Sequence, residues 1–220
     1  MSWESSLQYY LLLNQRVEER LGGLHSARLV LSSVEFAELT ELQEAERWDE
    51  VAGLLAQAAR GVEAAGADLL LMCTTAFHTV ADQVEGAVSI PFVHLADVVA
   101  QACTARGLST VGLLGTSFAM QRRFFVDRLE SHGLRVVVPH ERHHDQINAI
   151  IYGELVHGKV LDASRDAVVK VIDELWDDGA QGVILGCTEL ELLVKQADCE
   201  IPVFPSTTLH VEAALDPALA

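Results

Sequence analysis

Leu69-Leu-Leu-Met-Cys-Thr-Thr-Ala-Phe-His78 is the stretch on which the fold turns. A short apolar run ends in Cys73-Thr74-Thr75, the pattern of a buried strand whose carboxyl end opens into a turn. The arrangement returns at Val183-Ile-Leu-Gly-Cys-Thr-Glu-Leu190. Each run is introduced by a Gly-Ala pair, Gly66-Ala67 and Gly179-Ala180, and each is followed by an Ile-Pro, Ile90-Pro91 and Ile201-Pro202. Two matching frames imply a duplicated α/β unit with one thiol on each side of a shared cleft.

Working outward, the pattern predicts an amphipathic helix over 48–65 that stops at Gly66, then a strand over 68–72. A short helix around 79–85, a strand near 91–94 and a helix over 97–106 follow. Upstream, the apolar spacing of 4–20 predicts a helix ended by Gly22-Gly23. The alternation in 27–34 predicts a strand, and 36–44 reads as a connecting segment. Downstream, strands are expected at 110–114, 134–138, 182–186 and 203–204. Helices are expected at 118–132, 142–156, 161–178, from Glu189, and at 209–214. Strands alternating with helices make an α/β protein with parallel sheets covered on both faces.

The 220 residues suffice for one large domain or two small ones. Half the residues are apolar and 6% aromatic, which suits an Ala/Leu/Val-rich α/β chain better than an all-β one. Against 32 acidic side chains stand 15 basic ones, a net charge of −17. Such a surface repels phosphate backbones and acidic headgroups, so nucleic acid and membrane partners are not expected. No apolar run reaches membrane-spanning length and Met1-Ser-Trp-Glu-Ser5 lacks a leader pattern, so a cytoplasmic location is expected. The four cysteines are read as reduced thiols, with no Cys-x-x-Cys spacing to signal a zinc or redox pair.

Ligands of parallel α/β sheets bind beyond the carboxyl ends of the strands. Cys73-Thr74-Thr75, Gly115-Thr116-Ser117 and Cys187-Thr188-Glu189 all sit there and lead into helix N-termini, which favour anions. The same position stabilises a thiolate. The site is thus expected to hold a carboxylate and to activate thiols. A single strand-end cysteine is more often a core residue, but the pairing in equivalent frames reverses that. Cys103, inside a helix, and Cys199, in a polar loop, read as structural. Two facing thiols suit removal of a proton from one face of a carbon and its return on the other.

These motifs resemble the pyridoxal-phosphate-independent aspartate/glutamate racemase family, closest to its broad-specificity amino-acid racemase branch. The resemblance rests on Met1-Ser-Trp-Glu-Ser5, Leu21-Gly-Gly-Leu-His-Ser-Ala27, Ser33-Val-Glu-Phe36, the Cys73 stretch, Leu113-Leu-Gly-Thr116, Ile151-Tyr152 and Gly186-Cys-Thr-Glu189. It implies two pseudo-symmetric α/β domains with the active site in the cleft between them, 1–96 with 208–220 and 97–207. It implies that Cys73 and Cys187 are the two acid/base thiols, working without a cofactor or metal on a free amino acid. Thr74, Thr75 and Thr116 would hold the substrate carboxylate through backbone N–H groups, Gln43 would help position the substrate, and Glu189 would support Cys187. Met1 and Thr188 belong to the same substrate-binding set, and relatives imply a homodimer.

Three departures from the family pattern stand out. The family begins with a strand and a Gly-Gly turn ahead of Met-Ser-Trp-Glu, so several further residues are expected upstream. The usual Asn after the first Cys-Thr is Thr75. Where relatives often carry Asp near the last strand, Pro205 stands. The acid-specific branch places an Arg and a Lys on the substrate side chain; no Arg lies in 33–38, and Val156 takes the Lys position. A neutral amino acid is therefore expected in preference to aspartate. Related two-cysteine readings are a hydantoin racemase and a maleate-isomerase-like enzyme, and from another class a non-catalytic amino-acid-binding protein. His140-Glu-Arg-His-His-Asp145 fits no common metal spacing. His78 and His94 read as hydrogen-bonded structural residues. Val111-Gly-Leu-Leu-Gly115 is too short for a dinucleotide fingerprint.

Overall fold

Ser2 starts the first helix: its hydroxyl accepts the Ser5 N–H and caps α1 (Trp3–Leu21). This is seen in a computed structural model that describes residues 1–219. The chain divides into two compact units, one made of Met1–His94 with the segment from His210, the other of Leu95–Leu209.

In unit 1, α2 (Phe36–Glu44) and α3 (Trp48–Ala64) pack through Leu39, Leu42, Val51, Leu55 and Ala59, all buried. Gly66 takes the positive φ of +91° that releases the chain from α3, and Gly179 does the same at +96° in the second frame. Among the described residues the Cys73 stretch pairs only at one parallel bridge, Leu70 with Phe92. Leu70 N–H donates to Pro91 O at 2.9 Å and Val93 N–H to Leu70 O at 3.0 Å. A 3-10 turn (Ala76–Val80) then runs into α4 (Ala81–Glu85). Tyr9 and Val17 of α1 are buried against Val211 and Leu215.

Two expectations for this unit are corrected. The strand expected over 27–34 is absent: the segment has no ladder, and Leu29, Val30 and Leu31 are 37, 45 and 51% exposed. Alternation gives a strand its faces but not its neighbour, and without paired edges the segment stays irregular. The strands expected over 68–72 and 91–94 shrink to the single bridge for the same reason. The segment expected to be a connector, 36–44, is a helix because Leu39 and Leu42 have α3 to dock on and the Glu35 carboxylate accepts the Ala37 N–H at 3.2 Å.

Unit 2 carries the sheet. Its elements are α5 (Leu95–Ala105), β1 (Thr110–Leu114), α6 (Ser117–Gln121), α7 (Arg123–Ser131), β2 (Arg135–Val137), α8 (His144–Gly153), α9 (Asp162–Asp177), β3 (Val183–Leu185), α10 (Leu190–Leu193) and β4 (Val203–Pro205). α11 (Ser206–Ala218) begins here and ends in unit 1. The four strands are parallel in the order β2-β1-β3-β4. Each strand feeds both faces by period two: Val183 and Leu185 pack with Ile147, Ile151, Val168 and Leu175, while Ile184 packs with Val99, Phe125 and Leu129. The helix expected over 118–132 is broken at Arg122, whose φ of −85° and ψ of 131° are extended. The one expected over 142–156 keeps a regular core in α8 with 3-10 turns at either end (Glu141–His143 and Leu155–His157). Within the His140–Asp145 stretch the side chains diverge, His143 pairing with Glu174 at 2.8 Å and His144 Nε2 donating to Pro139 O at 2.9 Å. No helix among the described residues is long and apolar enough to cross a membrane.

Candidate active site

β1 and β3 run side by side and end level, so their turns are neighbours within unit 2. Gly186 makes this possible: its N–H donates to Leu114 O at 2.7 Å, and a Cβ there would sit 2.9 Å from Leu113 Cδ1. Immediately after it comes Cys187, 9% exposed. The Cys187 thiol donates to Glu189 Oε2 at 2.8 Å, and the Thr188 hydroxyl donates to the same oxygen at 2.7 Å. Burial first, and then the Glu189 carboxylate, push the Cys187 thiol well above its ordinary value; the N–H groups of Glu189 and Leu190 oppose this without reversing it.

At the end of β1, Thr116 caps α6, its Oγ1 accepting the Ala119 N–H at 3.3 Å. Asn148 pins the next residue on both sides: Ser117 N–H donates to Asn148 Oδ1 at 2.9 Å and Asn148 Nδ2 donates to Ser117 Oγ at 2.6 Å. One turn further along α8, the Tyr152 hydroxyl bonds the Thr116 side chain; burial, then Cys187 and Glu189, hold its proton on. Thr116, Thr188, Glu189 and Cys187 thus share one corner. Asn148 and Tyr152 escaped the sequence reading as site residues. Their signal was two polar side chains at i and i+4 on a helix otherwise contributing Ile147, Ile150 and Ile151 to the core.

The Cys73 turn in unit 1 is built differently. Cys73 O accepts the Met1 ammonium at 2.5 Å and the Ser5 hydroxyl at 3.0 Å. Thr74 N–H donates to Met72 O at 2.8 Å, a tight turn that commits this group. The Thr74 N–H, expected to grip substrate, is occupied within the turn; its hydroxyl and the Thr75 N–H are what the turn has left. His78 Nδ1 donates to Thr74 O at 2.7 Å and the His78 N–H to Thr75 O at 3.1 Å. Burial raises the Cys73 thiol to about 11, against a smaller pull from the Met1 ammonium. Met1 therefore touches the turn through its backbone nitrogen. Gln43 lies half-buried near the end of α2.

Burial thus works against the expected activation of both thiols. Both turns lead into helices of only four or five residues. Such short dipoles do not offset the loss of water around a buried sulfur. Cys103 is fully buried and Cys199 half-buried, and burial raises both, to about 12 and about 11.

Comparison with known proteins places this architecture. The family model described as Asp/Glu/Hydantoin racemase matches residues 1–214. The chain belongs to this racemase family. Among solved structures, a Yersinia pestis protein assigned to the Asp/Glu racemases is 44% identical with a TM-score of 0.93, the match covering 100% of this chain and 96% of that one. An aspartate racemase homologue from Pyrococcus horikoshii OT3 is 34% identical with a TM-score of 0.91 over the same shares, 100% and 96%. Aspartate racemase from Picrophilus torridus, 18% identical with a TM-score of 0.76 over 97% and 89%, shares the fold. The family's two-domain α/β fold is the one seen here, and both Cys-Thr turns fall inside the matched span.

Proposed function

We propose that the protein is a cofactor-independent amino-acid racemase or epimerase in which Cys73 and Cys187 exchange the proton at Cα of a free amino acid. The observation that carries this is the Cys187–Glu189 hydrogen bond at 2.8 Å, an acid held charged with its proton beside donors suited to a carboxylate. In one direction the Cys73 thiolate removes the Cα proton, the carboxylate of the substrate takes up the resulting charge, and Cys187 delivers its proton to the opposite face. The reverse direction exchanges the roles. The Thr75 and Thr116 N–H groups are the groups that hold the carboxylate, while the Thr188 hydroxyl stays on Glu189. Cys73 is the easier of the two thiols to ionise, because only Cys187 has a carboxylate against it. The substrate ammonium supplies the positive charge that a buried thiolate needs.

No Arg lies in 33–38, and Val156 stands where the acid-specific branch places its Lys. This supports a neutral substrate over aspartate. The hydantoin members within the family description keep a second reading in view, inversion of a ring carbon by the same two thiols. Chiral chromatography of aspartate, glutamate, homoserine, methionine and a substituted hydantoin in deuterated solvent tests both. Racemisation with deuterium entering at Cα of a neutral amino acid is the expected result. Aspartate as best substrate sinks the specificity, and binding without exchange sinks the chemistry.

A further inference from the structure

We infer that His78 is a positioning residue for the Cys73 turn, setting the orientation of the peptide between Thr74 and Thr75. In a trans peptide the C=O and the following N–H point in opposite directions. His78 Nδ1 donates to Thr74 O at 2.7 Å, so the Thr75 N–H is turned to the opposite side. A carbonyl accepts only, so the ring is the Nδ1–H tautomer and its role needs no positive charge.

The backbone shows why a side chain is required. An α-helical turn would satisfy Thr74 O with the N–H of residue 78. Here that N–H goes to Thr75 O at 3.1 Å in a 3-10 turn, and the His78 ring replaces the missing donor. Cys73 O is held by Met1 and Ser5, and the Thr74 N–H by Met72 O at 2.8 Å. Three of the turn's consecutive backbone groups are thus fixed, and the Thr75 N–H is left with no protein acceptor among the described residues. Without His78 the Thr74 carbonyl would be a half-buried acceptor free to rotate, and rotation would replace a donor with an acceptor where a carboxylate is held.

The ring itself is held firmly. His78 is 4% exposed, with His94 at 4.8 Å, Phe92 at 5.8 Å and His210 at 6.1 Å between ring centroids. His210 is fixed in turn by the Tyr9 hydroxyl at 2.8 Å and Val93 O at 2.7 Å. Burial and then the two neighbouring imidazoles keep His78 neutral.

The inference rests on the racemase reading, and two measurements separate their failures. In the wild-type protein, nitrogen-15 NMR of the imidazoles reports the tautomer directly. His78 with its proton on Nδ1 is expected, and a proton on Nε2 overturns the inference whatever the enzyme does. The variants His78→Asn and His78→Gln then divide the roles, since the Asn amide nitrogen reaches the Nδ1 position and the Gln one does not. His78→Asn is expected to keep kcat/KM within about threefold, while His78→Gln loses ten- to a hundredfold, mostly through KM. Equal kinetics in the two folded variants would overturn it. If Gln prevents folding while Asn does not, the tautomer decides. If no substrate is turned over, calorimetric binding of the amino acid to wild type and the Asn and Gln variants replaces the kinetics.

Discussion

The two Cys-Thr turns share a sequence frame but not a setting. Cys187 follows a strand paired on both sides and donates a hydrogen bond to a carboxylate two residues on. Cys73 follows a segment paired at one bridge, and its turn is held by carbonyl contacts from Met1, Ser5 and His78. One turn is organised around a sulfur proton, the other around backbone orientation. The proposed two-base mechanism needs one acid and one base at any instant; burial raises both thiols, and only Cys187 has a carboxylate that raises it further.

The largest expected effects strike both thiols. Cys73→Ser and Cys187→Ser should each lower racemisation by roughly 10³-fold, since a hydroxyl is a far weaker acid and base partner. Chiral analysis checks this, and deuterium exchange restricted to opposite enantiomers in the two variants would confirm divided roles. Glu189→Gln comes next and should cost about ten- to a hundredfold in kcat. Because Glu189 helps raise Cys187, the substitution should also move the alkaline limb of the rate profile to lower pH. No movement would detach Glu189 from the thiol.

The pH dependence is a third probe. Cys73, at about 11, is protonated near neutrality, and only its thiolate acts as the first base. kcat/KM should therefore rise close to tenfold per unit between pH 7 and 9. A plateau from pH 7 would mean that the thiolate is already formed and that the two turns do not differ as described. A smaller effect lies in stability. Fully buried His210 is held neutral, lowered to about 4 by burial and by His94 against the Val93 bond. A depressed basic group contributes fully above its unfolded value near 6.5 and loses that contribution as pH falls through 4. About 3 kcal/mol should go over that window. Denaturant unfolding of the wild type and of His210→Gln, in which the acid loss should shrink, measures it.

Unit 2 was legible because its strands carry their own evidence. Thr110–Leu114 is a mostly apolar run closed by Gly115, 183–185 is an apolar run between Gly182 and Gly186, and each found a neighbour. The failures in unit 1 come from pairing, which is a property of two segments. The alternation in 27–34 names a face to bury but not the edge that would bind it. α2 was missed because its apolar positions Phe36, Leu39 and Leu42 are too few to show a period in nine residues. Among the candidate residues, Cys73, Thr116, Cys187, Thr188 and Glu189 could be read as following apolar runs. The commitment of the Thr74 N–H could not, since it depends on a turn that closes only in three dimensions. The pull of burial on the thiols was also hidden, because a sequence shows a helix start and not the water excluded around it.

The irregular segment 27–34 has a consequence for handling the protein. Three exposed aliphatics on backbone without a ladder form a template for pairing between copies. The charge of −17 opposes that encounter. Salt shortens the reach of the repulsion to about 8 Å at physiological strength and leaves the aliphatic attraction in place. Colloidal behaviour should follow ionic strength, with light scattering showing dispersed chains in dilute buffer and growing assemblies as salt is added.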